Sequence, residues 1–286
     1  MVRRGIVTKG ISGKFFVQID GQLIECYARK KLKKEDSIVL AGDIVDVDTS
    51  ECVIENIVPR KNMLIRPPIA NIDRIVIVIS CVPEADLHLI DKLIIAAKLN
   101  KIEPILCFNK IDINNDYADE IEQQYSKAKS KFIKVSAKTG YNIDKLIEIM
   151  QGGVNCFAGQ SAVGKSSLIN AILGCNYSQT GDLSEKILRG KNTTRHTELI
   201  PVKDFFIADT PGFSLLELKN LKYNELKDFY DEFLPYKNDC RFSSCTHTKE
   251  PDCAVLNAVS KGEISSSRHK RYTEMYFELK ENQSFN

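Results

Sequence analysis

The sequence predicts a multidomain protein with an all-β N-terminal domain, a central α/β domain and a mainly α C-terminal domain. Short apolar runs separated by turn residues fill about the first sixty positions. Alternating strand and helix patterns begin at Ile72, and three cysteines and a histidine cluster after position 239. We place the domains at residues 1–64, 65–216 and 217–286.

Length and composition limit the classes of protein that fit. The 286 residues can build two or three domains, and the formal net charge of +2 does not by itself imply a nucleic-acid partner. No apolar signal-peptide core follows the basic N-terminal residues, and apolar runs such as Ile75–Ile79 are too short to cross a bilayer. We expect a cytoplasmic protein with no membrane partner, acting as a monomer.

The N-terminal segment is predicted to form a small closed barrel. Five strands are predicted at residues 5–8, 14–19, 22–27, 43–48 and 52–57, a number and length typical of the OB fold. Such barrels bind single strands through a basic groove and aromatic platforms, for which Arg29–Lys34 and Phe15, Phe16 and Tyr27 are candidates. The alternative is that the aromatic residues belong to the core and the lysines to a solvated turn. Both interpretations stay open.

Prolines mark the boundary before the central domain. Residues 59–68 contain three prolines, which discourage both helix and strand pairing, so a linker is predicted there. Beyond it, strands are predicted at 72–82, 102–108, 132–136, 154–158, 197–202 and 205–208, with helices at 86–99, 117–129, 143–150 and 167–173. This alternation predicts a mainly parallel sheet with helices on both faces.

A phosphate-binding loop is predicted after the strand that ends at Ala158. The segment fits the pattern G-x-x-x-x-G-K-[ST] and leads into a helix that stops at Gly174. Its backbone N–H groups can hold phosphate oxygens, Lys165 can reach the β- and γ-phosphates, and the Ser166 hydroxyl can bind Mg²⁺. The candidate nucleotide-binding residues are Gly159, Gln160, Ser161, Ala162, Val163, Gly164, Lys165, Ser166 and Ser167. The alternative is an ordinary turn that opens a helix.

Two motifs at strand ends predict that the bound base is guanine. Asn109-Lys110-Ile111-Asp112 follows one strand, where Asp112 can accept the two N–H donors on guanine's N1 and N2 edge. The Asn109 side chain can bond the base and neighbouring loops, and the Lys110 stem can lie along the ring. Ser136-Ala137-Lys138 closes the next strand and can offer an N–H to guanine O6. Either motif alone is weak, but together they favour guanine over adenine.

Two further segments would complete the site around Mg²⁺ and the γ-phosphate. The motif D-T-P-G begins at Asp209, which can act on Mg²⁺ through water, while the Gly212 amide can reach the γ-phosphate. Alone, this tetrapeptide is also a turn signal. The polar segment before it offers Thr193 and Thr194, and we favour Thr194 as the ligand of Mg²⁺ and the γ-phosphate.

The order of the motifs is unusual. The base motifs precede the phosphate loop, whereas ordinary GTPases place the phosphate loop first. The sequence therefore predicts a circularly permuted P-loop GTPase domain that binds GTP or GDP with Mg²⁺. Positioning and charge stabilisation by Lys165, Mg²⁺ and loop amides would promote phosphoryl transfer to water. The second switch leads directly into the C-terminal segment, so loss of the γ-phosphate would move that segment.

The C-terminal cluster C-x₄-C-x-H-x₅-C predicts one structural Zn²⁺. Cys240, Cys245, His247 and Cys253 supply four ligands, which leave no coordination position open for water. The alternative is scattered buried cysteines beside a surface histidine. Helices are predicted at 253–259 and from 265 onward. The second carries Arg268, Lys270, Arg271, Tyr272, Tyr276 and Phe277 and either faces RNA or docks on the central domain.

These motifs, in this order and over nearly the whole chain, resemble the RsgA family (the YjeQ/YloQ type) of circularly permuted GTPases in small-ribosomal-subunit biogenesis. The resemblance implies that the protein binds the 30S ribosomal subunit late in assembly and hydrolyses GTP on it. It also implies that the barrel and zinc domain contact 16S rRNA near the decoding region, and that hydrolysis lets the protein leave.

The chain departs from the family pattern within the site. Ala162 stands where the family usually has glycine, a small change unless the position needs positive φ. Asn192 stands where the family usually has the histidine that handles the attacking water, and asparagine can orient water but cannot act as a base. His196 is a nearby substitute, and Phe213 replaces the glutamine of many GTPases. The candidate catalytic residues are Lys165, Asn192, Thr194 and Gly212.

Two other functions stay open at this point. Because Asn192 and Phe213 predict slow hydrolysis, the chain could be a GTP-gated rRNA-binding switch with negligible turnover. It could also be an RNA-binding module whose nucleotide site is vestigial, an alternative opposed by four intact site residues: Lys165, Ser166, Asp209 and Asp112.

Overall fold

The structure is a computed structural model that describes residues 1–29, 38–65, 67–175, 197–209, 218 and 221–284. A search of these residues finds no helix with the length and apolar character needed to cross a membrane.

The first five strands close into a barrel, as predicted. They are β1 (Val2–Ile11), β2 (Lys14–Ile19), β3 (Gln22–Ala28), β4 (Ile44–Asp48) and β5 (Val53–Ile57). Their order is β1-β2-β3-β5-β4, and β4 also pairs with β1, which closes the sheet. The alternating pattern of β4 places Val45 and Val47 in the barrel core with Val17 and Ile54. Of the candidate platforms, Tyr27 is exposed, whereas Phe15 packs partly against this core.

The proline-containing segment after the barrel is folded. Strands β6 (Met63–Ile65) and β7 (Pro68–Ala70) form an antiparallel hairpin. The prediction of a linker at residues 59–68 is wrong for this hairpin, because prolines discourage strand pairing but a proline that begins a strand is tolerated. The buried Asp43 carboxylate of the barrel accepts a hydrogen bond from Arg60 Nε at 2.7 Å, and Asn71 Nδ2 donates to the Gly42 carbonyl at 2.9 Å. The hairpin is therefore fixed to the barrel.

In its described residues, the central domain has six more strands and four helices. The strands are β8 (Arg74–Ile79), β9 (Glu103–Phe108), β10 (Lys131–Lys134), β11 (Val154–Ala158), β12 (Glu198–Val202) and β13 (Phe205–Asp209). The helices are α1 (Leu87–Leu99), α2 (Asn115–Tyr125), α3 (Ile143–Met150) and α4 (Lys165–Leu173). The sheet order is β10-β9-β8-β11-β13-β12, and all neighbours pair in parallel except β13 and β12.

The central sheet is covered on both faces, as predicted for a parallel sheet. Its strands β8, β9 and β11 are near-continuous apolar runs, which is typical of strands buried on both sides. Helices α1 and α2 contribute to one apolar cluster and α3 and α4 to the other. Strand β11 lies centrally, between β8 and β13, although it comes fourth along the domain. The phosphate loop that follows it is therefore placed between the ends of earlier and later strands.

The barrel and the central sheet are hydrogen-bonded to each other. Strand β1 pairs antiparallel with β12 at Lys9 and Glu198, whose side chains also form an ion pair at 2.6 Å. The two sheets are thus one eleven-stranded sheet.

Residues 221–284 form a compact unit against α1, which we call the C-terminal lobe. Two 3₁₀ turns (Leu226–Phe229 and Asp231–Phe233) are followed by α5 (Ala254–Ser260) and α6 (Ser266–Ser284). Four of the α6 residues for which the sequence left RNA contact or docking open are buried, namely Arg268, Arg271, Tyr272 and Tyr276. Arg268 and Arg271 contact Asp91 of α1, so the docking interpretation holds for them, whereas Tyr272 and Tyr276 belong to the apolar cluster of the lobe. Lys270 and Phe277 are exposed.

Candidate nucleotide site and metal centre

The phosphate loop has a backbone that requires its two motif glycines. Gly159 and Gly164 have φ of +129° and +98°, in the region that favours glycine. A Cβ atom on Gly159 would lie 2.4 Å from the Val78 carbonyl oxygen, and one on Gly164 would lie 2.4 Å from Asn109 Nδ2. Helix α4 begins directly afterwards, so its N-terminal N–H groups face the loop.

Ala162 has a positive φ, which the sequence alone could not reveal. Its φ is +64°, so the non-glycine residue at this loop position carries backbone strain.

We expect Ala162→Gly to raise the free energy of unfolding by about 1 kcal/mol, since strain relief exceeds the entropy that glycine adds to the unfolded chain. Urea unfolding of both proteins measures this. A variant that is no more stable than the parent would show that the position is unstrained.

Lys165 lies at the start of α4, with its ammonium inside the loop. Its Nζ donates to the carbonyl oxygens of Gly159 at 2.8 Å and Gln160 at 2.6 Å. Partial burial lowers the pKa of the Lys165 ammonium. Since both partners are neutral carbonyls, the positive charge is not compensated by them and suits an anionic ligand.

Asn109 joins three loops at the base side of the site. Its buried side chain donates through Nδ2 to the Val163 carbonyl at 3.0 Å and accepts through Oδ1 from the Ala137 N–H at 3.1 Å. The neighbouring Lys110 Nζ donates to the Ala162 carbonyl oxygen at 2.8 Å. These bonds bring both base motifs against the phosphate loop.

Asp112 is held at the rim of a shallow cavity. Ser136 Oγ donates to Asp112 Oδ1 at 2.6 Å, which orients the carboxylate. The cavity of about 300 Å³ is lined by Ile111, Asp112, Asn115, Thr139 and Tyr141. Lys138 is exposed beside it. An oriented, exposed carboxylate at this place can accept two N–H donors from a planar base.

The structure describes only some of the residues predicted to bind Mg²⁺ and the γ-phosphate. Ser166 is exposed in the first turn of α4, and Asp209 is the last residue of β13, which pairs in parallel with the strand before the phosphate loop. Thr193 and Thr194, Asn192, Gly212, His196 and Phe213 lie outside the described residues. Their predicted roles stay predictions.

The four predicted zinc ligands lie together in the C-terminal lobe. Their ligand atoms all lie within 4.8 Å of one another. His247 Nδ1 is 3.4 Å from Cys253 Sγ and 3.6 Å from Cys240 Sγ, and the two sulfurs are 3.9 Å apart. A tetrahedral ion with Zn–S bonds of about 2.3 Å requires ligand separations of roughly 3.8 Å. The cluster therefore fits a metal ion of this geometry.

The electrostatics of the cluster also suit a cation. Burial lowers the pKa of His247 to about 4 and raises the pKa of Cys245 to about 12. The imidazole is thus neutral at pH 7, as a ligand must be, and the thiols would deprotonate only with a positive charge beside them. Surrounding groups fix the ligand loop: Lys227 Nζ donates to the Cys245 carbonyl at 2.8 Å and His269 Nε2 to the His247 carbonyl at 2.7 Å.

Glu250 orders the same loop and was not singled out from the sequence. Its carboxylate accepts N–H bonds from Thr246 at 2.7 Å, Thr248 at 3.0 Å and Lys249 at 3.1 Å. Partial burial alone would raise its pKa, but these bonds and one from the Thr246 hydroxyl lower it to about 2. The only signal for this role in the sequence is the position of Glu250, an acidic residue between two predicted metal ligands.

We expect Glu250→Gln to destabilise the C-terminal lobe by about 2 kcal/mol, because hydrogen bonds to a carboxylate are stronger than those to an amide. Since the folded pKa is depressed, this contribution is present above the unfolded pKa of about 4.5 and is lost as pH falls toward 2. Thermal unfolding between about pH 3 and pH 7 checks this, with the exposed Glu274→Gln as the control. Equal stabilities of the variant and the parent would contradict the assigned role.

Fold and site together define a circularly permuted P-loop GTPase flanked by a β-barrel and a C-terminal Cys₃His cluster. Residues 57–219 match the family model described as RsgA GTPase, and residues 4–52 match the RsgA N-terminal domain. The chain belongs to the RsgA family.

Individual relatives cover nearly the whole chain. A protein from Ruminiclostridium cellulolyticum named small ribosomal subunit biogenesis GTPase RsgA is 41% identical, over 97% of this chain and 94% of its own length. The crystal structure of YjeQ from Thermotoga maritima matches with a TM-score of 0.84 at 36% identity, covering 98% of this chain and 99% of that one. YloQ, described as a circularly permuted GTPase, also gives 0.84, at 32% identity over 99% and 96% of the two chains.

Proposed function

We propose that this GTPase acts on the small ribosomal subunit, binding 30S particles late in maturation and hydrolysing GTP in a subunit-stimulated way. The partner is suggested by the name of the relatives, small ribosomal subunit biogenesis GTPase. The observation that carries the nucleotide part is the pair of hydrogen bonds through which Asn109 joins the phosphate loop to the second base motif.

Each group of predicted site residues has its own role within this proposal. Gly159–Ser167 hold the phosphates, Lys165 offsets their charge, and the base motifs hold guanine. Ser166, Thr194 and Asp209 would hold Mg²⁺, which supplies charge neutralisation between the β- and γ-phosphates. Asn192 and the Gly212 amide would orient water and the γ-phosphate. Cys240, Cys245, His247 and Cys253 would hold one structural Zn²⁺.

Two surfaces are proposed to contact 16S rRNA. On the barrel, the ring of Tyr27 is exposed and suits a stacked base, while the neighbouring Lys14 is paired with Glu25 at 2.7 Å. On the C-terminal lobe, Arg241 and Phe242 are exposed in the ligand loop. We expect the protein to bind as a monomer in the cytoplasm, near the decoding region.

Steady-state GTP turnover with and without purified 30S subunits tests the proposal. We expect turnover to be slow for the protein alone, to rise on adding 30S, and to vanish in Lys165→Ala under both conditions. Turnover that does not respond to 30S would refute the subunit-stimulated mechanism. Equal release of the protein from 30S with GTP and with a non-hydrolysable analogue would favour the switch without hydrolysis.

A further inference from the structure

Helix α1 is shared between two hydrophobic cores. Its residues Ile90, Leu93 and Ile94 belong to the cluster that packs on the central sheet. Ile95 belongs to the C-terminal cluster, and Leu99 packs against that cluster. A helix buried on both sides transmits a shift at either side to the other, because close-packed interiors deform little.

A buried ionic network docks the C-terminal lobe on α1. The Asp91 carboxylate is fully buried and contacts two guanidinium groups of α6, Arg268 Nη1 at 2.7 Å and Arg271 Nε at 2.6 Å. Tyr125 Oη donates to the same carboxylate at 2.8 Å, and Arg268 Nε bonds Glu232. Removing one partner of such a network leaves unpaired buried charge, so docking depends on Asp91.

The ionic network contains buried polar atoms that lack hydrogen-bond partners. Among the described residues, Glu232 Oε2 and Arg271 Nη2 are buried without a hydrogen-bond partner. Arg271 contacts α1, so docking buries its Nη2 without a compensating bond, which lowers the stability of the docked state relative to an opened one. The network therefore suits an interface that opens and closes.

The N-terminus of α1 contacts the phosphate loop. Asp86 caps the helix, since its Oδ1 accepts from the Leu89 N–H at 2.9 Å. The Asp86 N–H donates to Gln160 Oε1 at 3.1 Å. The backbone carbonyl of the same Gln160 accepts from Lys165 Nζ at 2.6 Å. One residue thus connects the predicted phosphate ligand to the start of the helix.

We propose that α1 couples the C-terminal lobe to the phosphate loop, with the Gln160 side chain as a positioning residue between them. This regulation rests on the proposed function, in which the loop holds GTP or GDP. Because coupling between two sites is reciprocal, nucleotide binding stabilises lobe docking, and whatever holds the lobe in place tightens nucleotide binding by the same factor. The route is separate from the segment that joins the second switch to the lobe.

Amide hydrogen exchange of residues 266–284, measured with and without saturating GDP and Mg²⁺, tests the coupling. In the parent protein we expect GDP to slow exchange in α6 by about tenfold. In Gln160→Met, which keeps the side-chain length but loses the acceptor, we expect a change of less than about twofold at saturating GDP. The control Glu274→Gln removes an exposed ion pair to Lys270 within α6, away from α1, and should keep the full response.

The reciprocal measurement is the GDP dissociation constant. We expect Asp91→Asn to weaken GDP binding by about tenfold. Should Asp91→Asn unfold the lobe, Arg271→Lys, which retains the charge but loses the planar fork, should weaken binding in the same direction. If the amide exchange rate of α6 in the parent protein is the same with and without saturating GDP, the coupling is overturned but the proposed function stays intact. Absence of GDP binding in the same samples overturns both.

Discussion

Asp112→Asn is expected to reduce GDP and GTP affinity by roughly three orders of magnitude and to make xanthine nucleotides the better ligands. A carboxylate accepts both N–H groups on guanine's edge, whereas an amide offers one acceptor and one donor. Xanthine has a carbonyl where guanine has its amino group, so it matches the amide. Sites built on buried hydrogen bonds reject mismatched ligands by factors of about 10⁴.

Competition between GDP and XDP for the Asp112→Asn variant measures this change. Ser136 Oγ can still donate to the asparagine Oδ1, so the side chain should keep its orientation. The matched control is Asp116→Asn, a change in the first turn of the adjacent helix α2. If Asp112→Asn still prefers GDP, the base lies elsewhere.

Removing the predicted zinc is expected to unfold the C-terminal lobe. Cys253 is buried within the cluster, 3.9 Å from Cys240 Sγ and 3.4 Å from His247 Nδ1. Structural zinc sites of this type contribute on the order of 10 kcal/mol to folding. We therefore expect Cys253→Ala to purify without zinc and to become sensitive to proteolysis between residues 236 and 264.

Metal analysis and limited proteolysis provide the measurement. The control is Cys175→Ser, because Cys175 is an exposed cysteine outside the cluster and its loss should leave one zinc per chain. A parent protein that contains no zinc after gentle purification, yet resists protease in this lobe, would contradict the predicted metal centre.

The sequence was sufficient wherever a short pattern determines local structure. The phosphate loop, both base motifs and the Cys₃His spacing are each set within about fifteen residues, and their order alone indicated the permuted sheet. The barrel was also predictable, since period-two alternation marks strands regardless of their partners.

What the sequence could not show depends on contacts between distant residues. The pairing of β1 with β12, the hairpin at 63–70 and the docking of α6 have no local signature. Asp91 did offer a signal, because it is a charged residue within an apolar run of α1. Such a residue suggests a buried partner, but its arginines lie more than 170 residues away.

Calorimetric titration of the protein with GDP and with ADP, in the presence of Mg²⁺, tests the central claim most directly. That claim is that loops from separate parts of the chain form one guanine-nucleotide site. We expect one GDP per chain, bound at least about 100-fold more tightly than ADP, because only guanine presents two donors to Asp112. Equal affinities for the two nucleotides, or no binding of GDP, would contradict it.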